Sequence, residues 1–374
     1  MKKIALLFVA LLGVVMCYAQ LETREIMHDD TTRKYLEYLP DNYAGDEVFP
    51  VVVGLHGLGD NMNNFYNVGM NYIADTAGFI LIIPEALEFD FLAYTMTAWN
   101  SGASLYGITP NTDVDDTGFL MAILDSLETH YTIDTSQVYF FGLSMGGYMC
   151  NKLACEKADR INAIASVSGT MGINYDPDPV HHIACLHIHG TNDETVAYTG
   201  NNSGMDADSL VNFWVAHNNN DTATIKYTYP DTVNDNLMFE RYVYPNGDAQ
   251  VAHIKVINGE HTWYYTPQND IDYAREIWRF FKYRFQETEE AGSPSLFINK
   301  YSMYPNPASS HVNIDLHNSI IPEAIKLWNV NGEVIQTIYP YDTQIRLDVS
   351  NLPTGLYYLS TASDKSARRL VISR

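Results

Sequence analysis

Cysteine is scarce in this chain, with four residues in 374. One of them, Cys17, lies in the N-terminal segment, and the remaining Cys150, Cys155 and Cys185 are an odd number that cannot complete a disulfide framework. Cys150 and Cys155 stand on one expected helix at a spacing that does not bridge without distorting it. All three read as small buried hydrophobes, so stability must come from the core. Positive charge is scarce as well. The 22 Lys and Arg against 45 Asp and Glu leave a net charge of −23, which argues against nucleic acid and anionic membrane surfaces as partners. Beyond the N-terminus no apolar run approaches the ~20 residues that a bilayer-spanning helix needs. What is present, 46% hydrophobic and 18% charged residues, is the composition of a globular protein, and the length suggests two domains.

The N-terminus carries a three-part pattern. Lys2 and Lys3 precede an apolar run over residues 4–16, and Cys17-Tyr18-Ala19 forms a small-residue cleavage site before Gln20. Residues 1–19 therefore read as a secretory signal peptide, too short for a transmembrane anchor. Its removal takes away two lysines and no acid, moving the net charge from −23 to −25.

Residues 20–287 read as one α/β domain. Short apolar, β-branched runs recur at 51–53, 79–83, 138–141, 161–167, 183–188 and 254–257, with helical patterns at 117–129, 146–157 and 207–217 and a closing helix at 274–283. Near-continuous apolar strands separated by helices predict a mostly parallel sheet covered on both faces. Asp115 and Asp116 read as an N-cap on the helix dipole rather than as metal ligands. Residues 288–297 are an acidic, small-residue linker. After it the pattern changes. Val312, Ile314 and Leu316 alternate, Asn331-Gly332 marks a hairpin, and further strands follow at 344–349, 355–362 and 368–372. Residues 298–374 thus read as a small all-β, sandwich-like domain.

The chemistry rests on spacing in context. Gly142-Leu143-Ser144-Met145-Gly146 alone arises by chance in roughly one chain in ten of this length. Here it joins an expected strand to an expected helix, the setting in which a strained serine projects above a sheet. His56-Gly57-Leu58-Gly59 follows the strand at 51–53, the place of the loop that completes an oxyanion hole. The donors assigned are the Leu58 and Met145 amides. A serine hydroxyl needs a base and the base an orienting carboxylate, and the chain order in such a sheet is serine, acid, histidine. Asp193 follows the strand at 183–188, and His261 follows the strand at 254–257, ahead of the closing helix. Ser144, Asp193 and His261 are the expected triad. Trp99, Tyr198 and Trp263, beside Tyr264 and Tyr265, either line a cleft for a ring-bearing acyl group, as substrate-binding residues, or belong to the core. The histidines at 181, 182, 187 and 189 lack the Cys or Glu spacing of a metal site, and no metal or organic cofactor is expected.

These segments together resemble a family. The stretch 50–60, Trp99-Asn100, residues 114–119, the elbow at 142–147, residues 189–198 and 260–263 are similar to the extracellular polyhydroxybutyrate depolymerase and feruloyl esterase group over about residues 33–283. The resemblance implies an α/β-hydrolase fold and carboxylic-ester hydrolysis by the same three residues. Two positions depart from the pattern. Ala197 stands where the group has Pro, and Tyr264-Tyr265 where it has Pro-Gly. Both lie near the acyl pocket. The C-terminal domain resembles the sorting domains of type IX secretion in Gram-negative bacteria through Tyr304-Pro305-Asn306-Pro307, Asn331-Gly332, residues 352–357 and the basic ending over 368–374. That implies an address for crossing the outer membrane, recognised by the type IX machinery, with the protein ending outside the cell or at its surface. The favoured reading is a secreted serine esterase acting on feruloyl or acetyl esters of plant polysaccharide. A polyester hydrolase of the polyhydroxybutyrate type, a serine peptidase and a non-catalytic surface-binding protein are the alternatives.

Overall fold

A computed structural model of the chain describes residues 20–40, 43, 48–285, 301–316, 324–340, 344–361 and 368–374. The expected signal peptide at 1–19 and linker at 288–297 lie outside the described residues.

Valine and isoleucine runs make the centre of a ten-stranded sheet. Its strands are β1 (Gln20–His28), β2 (Thr31–Leu39), β3 (Phe49–Leu55), β4 (Ile80–Pro84), β7 (Ile133–Leu143), β8 (Ala163–Val167), β9 (Ala184–Gly190), β10 (Ile225–Thr228), β11 (Met238–Tyr244) and β12 (Val251–Ile257). They are ordered β1-β2-β4-β3-β7-β8-β9-β12-β11-β10. The six from β4 to β12 run parallel, and β1, β2, β10 and β11 add antiparallel edges. Every residue of β3, β4, β8 and β9 is buried, as strands covered on both faces must be.

Two helical layers provide the cover. Val51, Val53, Ile80 and Ile82 face α3 (Asp116–His130), α4 (Met145–Glu156) and α5 (Ala207–His217), which contribute Phe119, Met149 and Trp214 to that core. Val52, Leu81 and Ile83 face α1 (Met62–Phe65), α2 (Met70–Ala77) and α6 (Tyr273–Tyr283), which contribute Phe65, Ile73 and Trp278. Alternation along each strand divides the two cores. This is the expected mostly parallel sheet with helices on both faces. Asp115 caps α3 by accepting from the Gly118 amide at 2.8 Å, while Asp116 turns inward to a buried ion pair with Arg33 at 2.7 Å.

The sequence patterns did not signal the edge strands or the hairpin of β5 (Glu88–Phe91) and β6 (Tyr94–Thr97). Leu21 and Met27 of β1 and Tyr94 of β6 stay exposed, so these strands carry no strong apolar alternation, and pairing with a neighbour defines them.

Beyond residue 300 a three-stranded sheet orders β13 (Tyr301–Tyr304), β14 (His311–Leu316) and β17 (Gln344–Asp348) as β13-β14-β17. A four-stranded sheet orders β15 (Ile325–Asn329), β16 (Val334–Ile338), β18 (Gly355–Thr361) and β19 (Arg368–Ile372) as β16-β15-β18-β19. Val312, Ile314, Leu327, Leu347, Leu359 and Leu370 make a core common to both sheets, the arrangement of a small sandwich. Gly332 turns the β15–β16 hairpin with φ 78°.

Candidate active site

Four loops that leave the C-terminal ends of parallel strands meet at one edge of the large sheet, where open α/β sheets bind their ligands. The loop after β7 holds Ser144 at φ 56° and ψ −121°, a backbone conformation that costs a non-glycine residue roughly 1–3 kcal/mol. The surrounding packing maintains it. The Ser144 amide donates to the Val167 carbonyl at 2.8 Å, and its carbonyl accepts from the Tyr148 amide. At Gly146 any side chain would collide with the Leu55 carbonyl, so the start of α4 lies directly against the end of β3. That close approach is the reason for the glycine two residues after the serine.

The loop after β3 then passes beside the serine. A side-chain carbon on Gly57 would lie 3.4 Å from Ser144 Cβ. The His56 ring is fully buried and accepts the Ala86 amide on Nε2 at 3.1 Å, which leaves Nδ1–H to donate to the Gly57 carbonyl at 2.8 Å. Burial lowers the His56 pKa and keeps the ring neutral. The Asp60 amide donates to the same carbonyl at 3.2 Å. Because the peptide is planar and trans, fixing the Gly57 carbonyl also fixes the Leu58 N–H, which points the opposite way. Met145 opens α4, so its amide is among the first-turn N–H groups that the helix itself leaves unbonded.

The loops after β9 and β12 are joined by the Asn192 amide, which donates to the Gly259 carbonyl at 2.8 Å. This junction brings Asp193 and His261 together, with Nδ1 of His261 2.7 Å from Asp193 Oδ2. The other carboxylate oxygen accepts from the Thr195 and Val196 amides at 3.0 and 2.8 Å. Burial opposes the charge of Asp193, but hydrogen bonds from His189, His261 and the Val196 amide outweigh it and hold the carboxyl well below the usual carboxylate range. An anionic Asp193 fixes the His261 hydrogen on Nδ1 and leaves Nε2 free to accept a proton. Among the described residues no hydrogen bond joins Ser144 Oγ to His261; such contacts often tighten only around substrate.

Two of the three aromatic candidates do not line a cleft. Trp99 is fully buried, its ring packed 5.2 Å from that of His56 and its Nε1–H donated to the His56 carbonyl. Tyr198 is buried against His189 and His253, with its hydroxyl donated to Asp208 at 2.6 Å. An indole N–H and a phenol O–H that find partners inside the fold make these residues core. Trp263 is half-buried, with its ring against Phe65, Phe141 and Tyr273. Tyr264 is buried and Tyr265 exposed. His187 and His189 share a strand face as expected, their facing nitrogens 3.1 Å apart. The one group of three metal-ligand residues among those described, His28, Asp29 and Asp115, sits at the β1–β2 turn, where Asp115 is already the cap of α3. The sequence reading did not assign a role to the His56 ring, to the Thr195 and Val196 amides or to His189; the last was signalled only by standing four residues before the acid.

Two segments of the chain match known protein families. Residues 43–264 match the family described as Phospholipase/Carboxylesterase, and residues 302–373 match a secretion system C-terminal sorting domain. A probable feruloyl esterase C of Aspergillus niger is 30% identical over 183 residues, 46% of this chain and 60% of that protein. A bifunctional acetylxylan esterase/xylanase of Neocallimastix patriciarum is 27% identical over 164 residues, 43% of this chain and 21% of that protein. The chain thus spans at most about 60% of the length of these two relatives. Among solved structures, an acetyl xylan esterase from Aspergillus awamori is 16% identical with a TM-score of 0.48, covering 64% of this chain and 94% of that one. With a family match that takes in the Ser144 elbow, the His56 loop, Asp193 and His261, the chain belongs to the phospholipase/carboxylesterase family.

Proposed function

We propose that this chain is a secreted serine esterase that hydrolyses carboxylic esters through Ser144, His261 and Asp193. The observation that carries the reading is the pairing of a strained serine on a strand-to-helix turn with a buried carboxylate bonded to His261 at the same sheet edge. Ser144 Oγ attacks the ester carbonyl while His261 Nε2 takes its proton, and Asp193 holds the imidazolium. The Leu58 and Met145 amides receive the oxyanion. Collapse expels the alcohol, which takes the proton from His261. Water then attacks the acyl-serine with His261 as base, and the carboxylic acid leaves.

The substrate class we assign is feruloyl or acetyl esters of plant polysaccharide, supported by the names of the relatives and by the half-buried indole of Trp263 beside the His261 loop. The C-terminal sorting match supports export by the type IX route of a Gram-negative bacterium, with residues 298–374 acting as the address and residues 20–287 doing the chemistry. The test is a panel of methyl ferulate, acetylated xylan, short nitrophenyl esters and polyhydroxybutyrate, run on wild type and Ser144→Ala. Loss of several orders of magnitude with an intact circular dichroism spectrum is expected. A Ser144→Ala protein retaining more than about a tenth of the rate would remove the serine from its role.

A further inference from the structure

Asp193 has a second imidazole partner that the three-residue reaction scheme does not use. His189, the penultimate residue of β9, is fully buried, and its Nε2 lies 2.8 Å from the Val196 carbonyl and 3.4 Å from Asp193 Oδ2, the oxygen that also receives His261. Both neighbours of Nε2 are acceptors, so Nε2 carries a hydrogen whichever way the rest of the network is protonated. On its far side Nδ1 of His189 meets Nε2 of His187 at 3.1 Å, and Nδ1 of His187 meets Ser166 Oγ at 3.0 Å. The His187 carbonyl in turn accepts from Nδ1 of His253 at 3.1 Å. A polar chain of Ser166, His187, His189, Asp193 and His261 therefore runs through the interior, its first four side chains buried. Buried polar groups are costly unless bonded, and a bonded row of this kind fixes the ring planes of its members.

We propose that His189 is a positioning residue for the acid of the triad: its Nε2–H, donated to the Val196 carbonyl and standing 3.4 Å from Asp193 Oδ2, holds the carboxylate electrostatically at the angle that His261 requires. Three features favour this over simple core packing. Asp193 Oδ2 stands between two imidazoles, so loss of either donor changes the charge that the other feels. The loop closes on itself, since Val196 both donates its amide to Asp193 Oδ1 and offers its carbonyl to His189. The ring is also braced from behind by His187, whose pKa burial pushes well below the ordinary histidine value, so that it stays neutral. The other titratable groups that feel this carboxylate are Tyr148, Tyr264 and Tyr273, whose phenols burial raises and keeps neutral. His189 and His261 are the two imidazoles that stand within 3.4 Å of this carboxylate. The proposal rests on the esterase reading.

The experiment is steady-state kinetics over pH on full-length wild type, His189→Leu and His189→Gln, with short nitrophenyl esters as substrate. His189→Leu removes the donor and is expected to lower kcat about ten- to a hundredfold with KM within about twofold. The acid limb of its kcat/KM profile should move to higher pH, because a carboxylate with one donor fewer attracts the protonated form of His261 more strongly. His189→Gln places an amide N–H at a similar reach and should recover most of kcat and the original limb. Unchanged kinetics in His189→Leu, or a loss of kcat with an unmoved limb and no recovery in His189→Gln, would overturn the proposal. If His189→Leu does not fold, the nitrogen-15 spectrum of wild-type histidine side chains decides: a hydrogen on Nε2 of His189 is expected, and a bare Nε2 sinks the idea. A wild type inert on every ester would instead defeat the esterase reading itself.

Discussion

Trp99 donates its indole N–H to the main-chain carbonyl of His56 at 2.9 Å, and the two rings lie 5.2 Å apart. The indole is a brace beneath the loop that presents the Leu58 amide. Trp99→Phe keeps a ring in the core but leaves the His56 carbonyl without this donor, at an expected cost of about 1–3 kcal/mol in stability. Relaxation of the loop should lower kcat more than it raises KM, since the oxyanion forms only after binding. Denaturant melts and kinetics on one nitrophenyl ester check both. A fully active Trp99→Phe protein would leave the brace dispensable.

Asp193→Asn should cost about 10³–10⁴ in kcat with the fold preserved. The Thr195 and Val196 amides would hold the asparagine oxygen on the Oδ1 side, turning its NH₂ toward His261, which needs an acceptor there. His261 would be driven into the wrong tautomer. Glu194 is exposed, and Glu194→Gln should stay within about twofold of wild type. The reverse ranking in rate assays would mean that the acid is misassigned.

Acid sensitivity should come partly from the buried histidines. Burial pulls His253 down to about 4, so between roughly pH 6.5 and 4 the unfolded chain binds a proton that the folded chain does not. Stability therefore falls as pH drops through that window and levels off for this group below it. His253→Phe should flatten the dependence of Tm on pH between 7 and 4 relative to wild type, as read by calorimetry. Parallel curves for the two proteins would assign the acid loss to other groups.

Trp263 is the one aromatic candidate that remains half-buried beside the His261 loop. Stacking on a phenolic acyl group is worth about 0.5–1.5 kcal/mol, a three- to tenfold preference. Trp263→Ala should accordingly lower kcat/KM for methyl ferulate more than for an acetyl ester. Equal losses would report only a disturbed His261 loop and end the case for a phenolic pocket.

The described residues between 20 and 285 bury their apolar side chains in two large cores and a small cluster of Ala103, Tyr148 and Val196, and the strands beyond residue 300 in a core of their own. A chain ending at Glu287 should keep the specific activity of the whole and fail to reach the surface or medium of a host with type IX secretion. Normal export of the short chain would contradict the sorting role, and a large drop in specific activity would point to a substrate contact beyond residue 297.

The framework was legible in the chain because its signals are local. Alternation and apolar runs placed β3, β8, β9 and α5 to within a residue or two, Asn331-Gly332 placed a hairpin, and the glycines around Ser144 marked a turn that no bulkier residue can make. The order of serine, acid and histidine after successive strands was legible for the same reason. Which side chains face one another was set by packing between distant segments. An isolated tryptophan or tyrosine reads alike whether it walls a cleft or fills a core, and Trp99 and Tyr198 went inward because His56 and Asp208 supply acceptors for their polar tips. His189 reads as a residue before a turn until β9 and β12 pair and their loops close over Asp193; its partner across the carboxylate lies 72 residues on in the chain. That distance is bridged by sheet register and packing, which no local pattern contains.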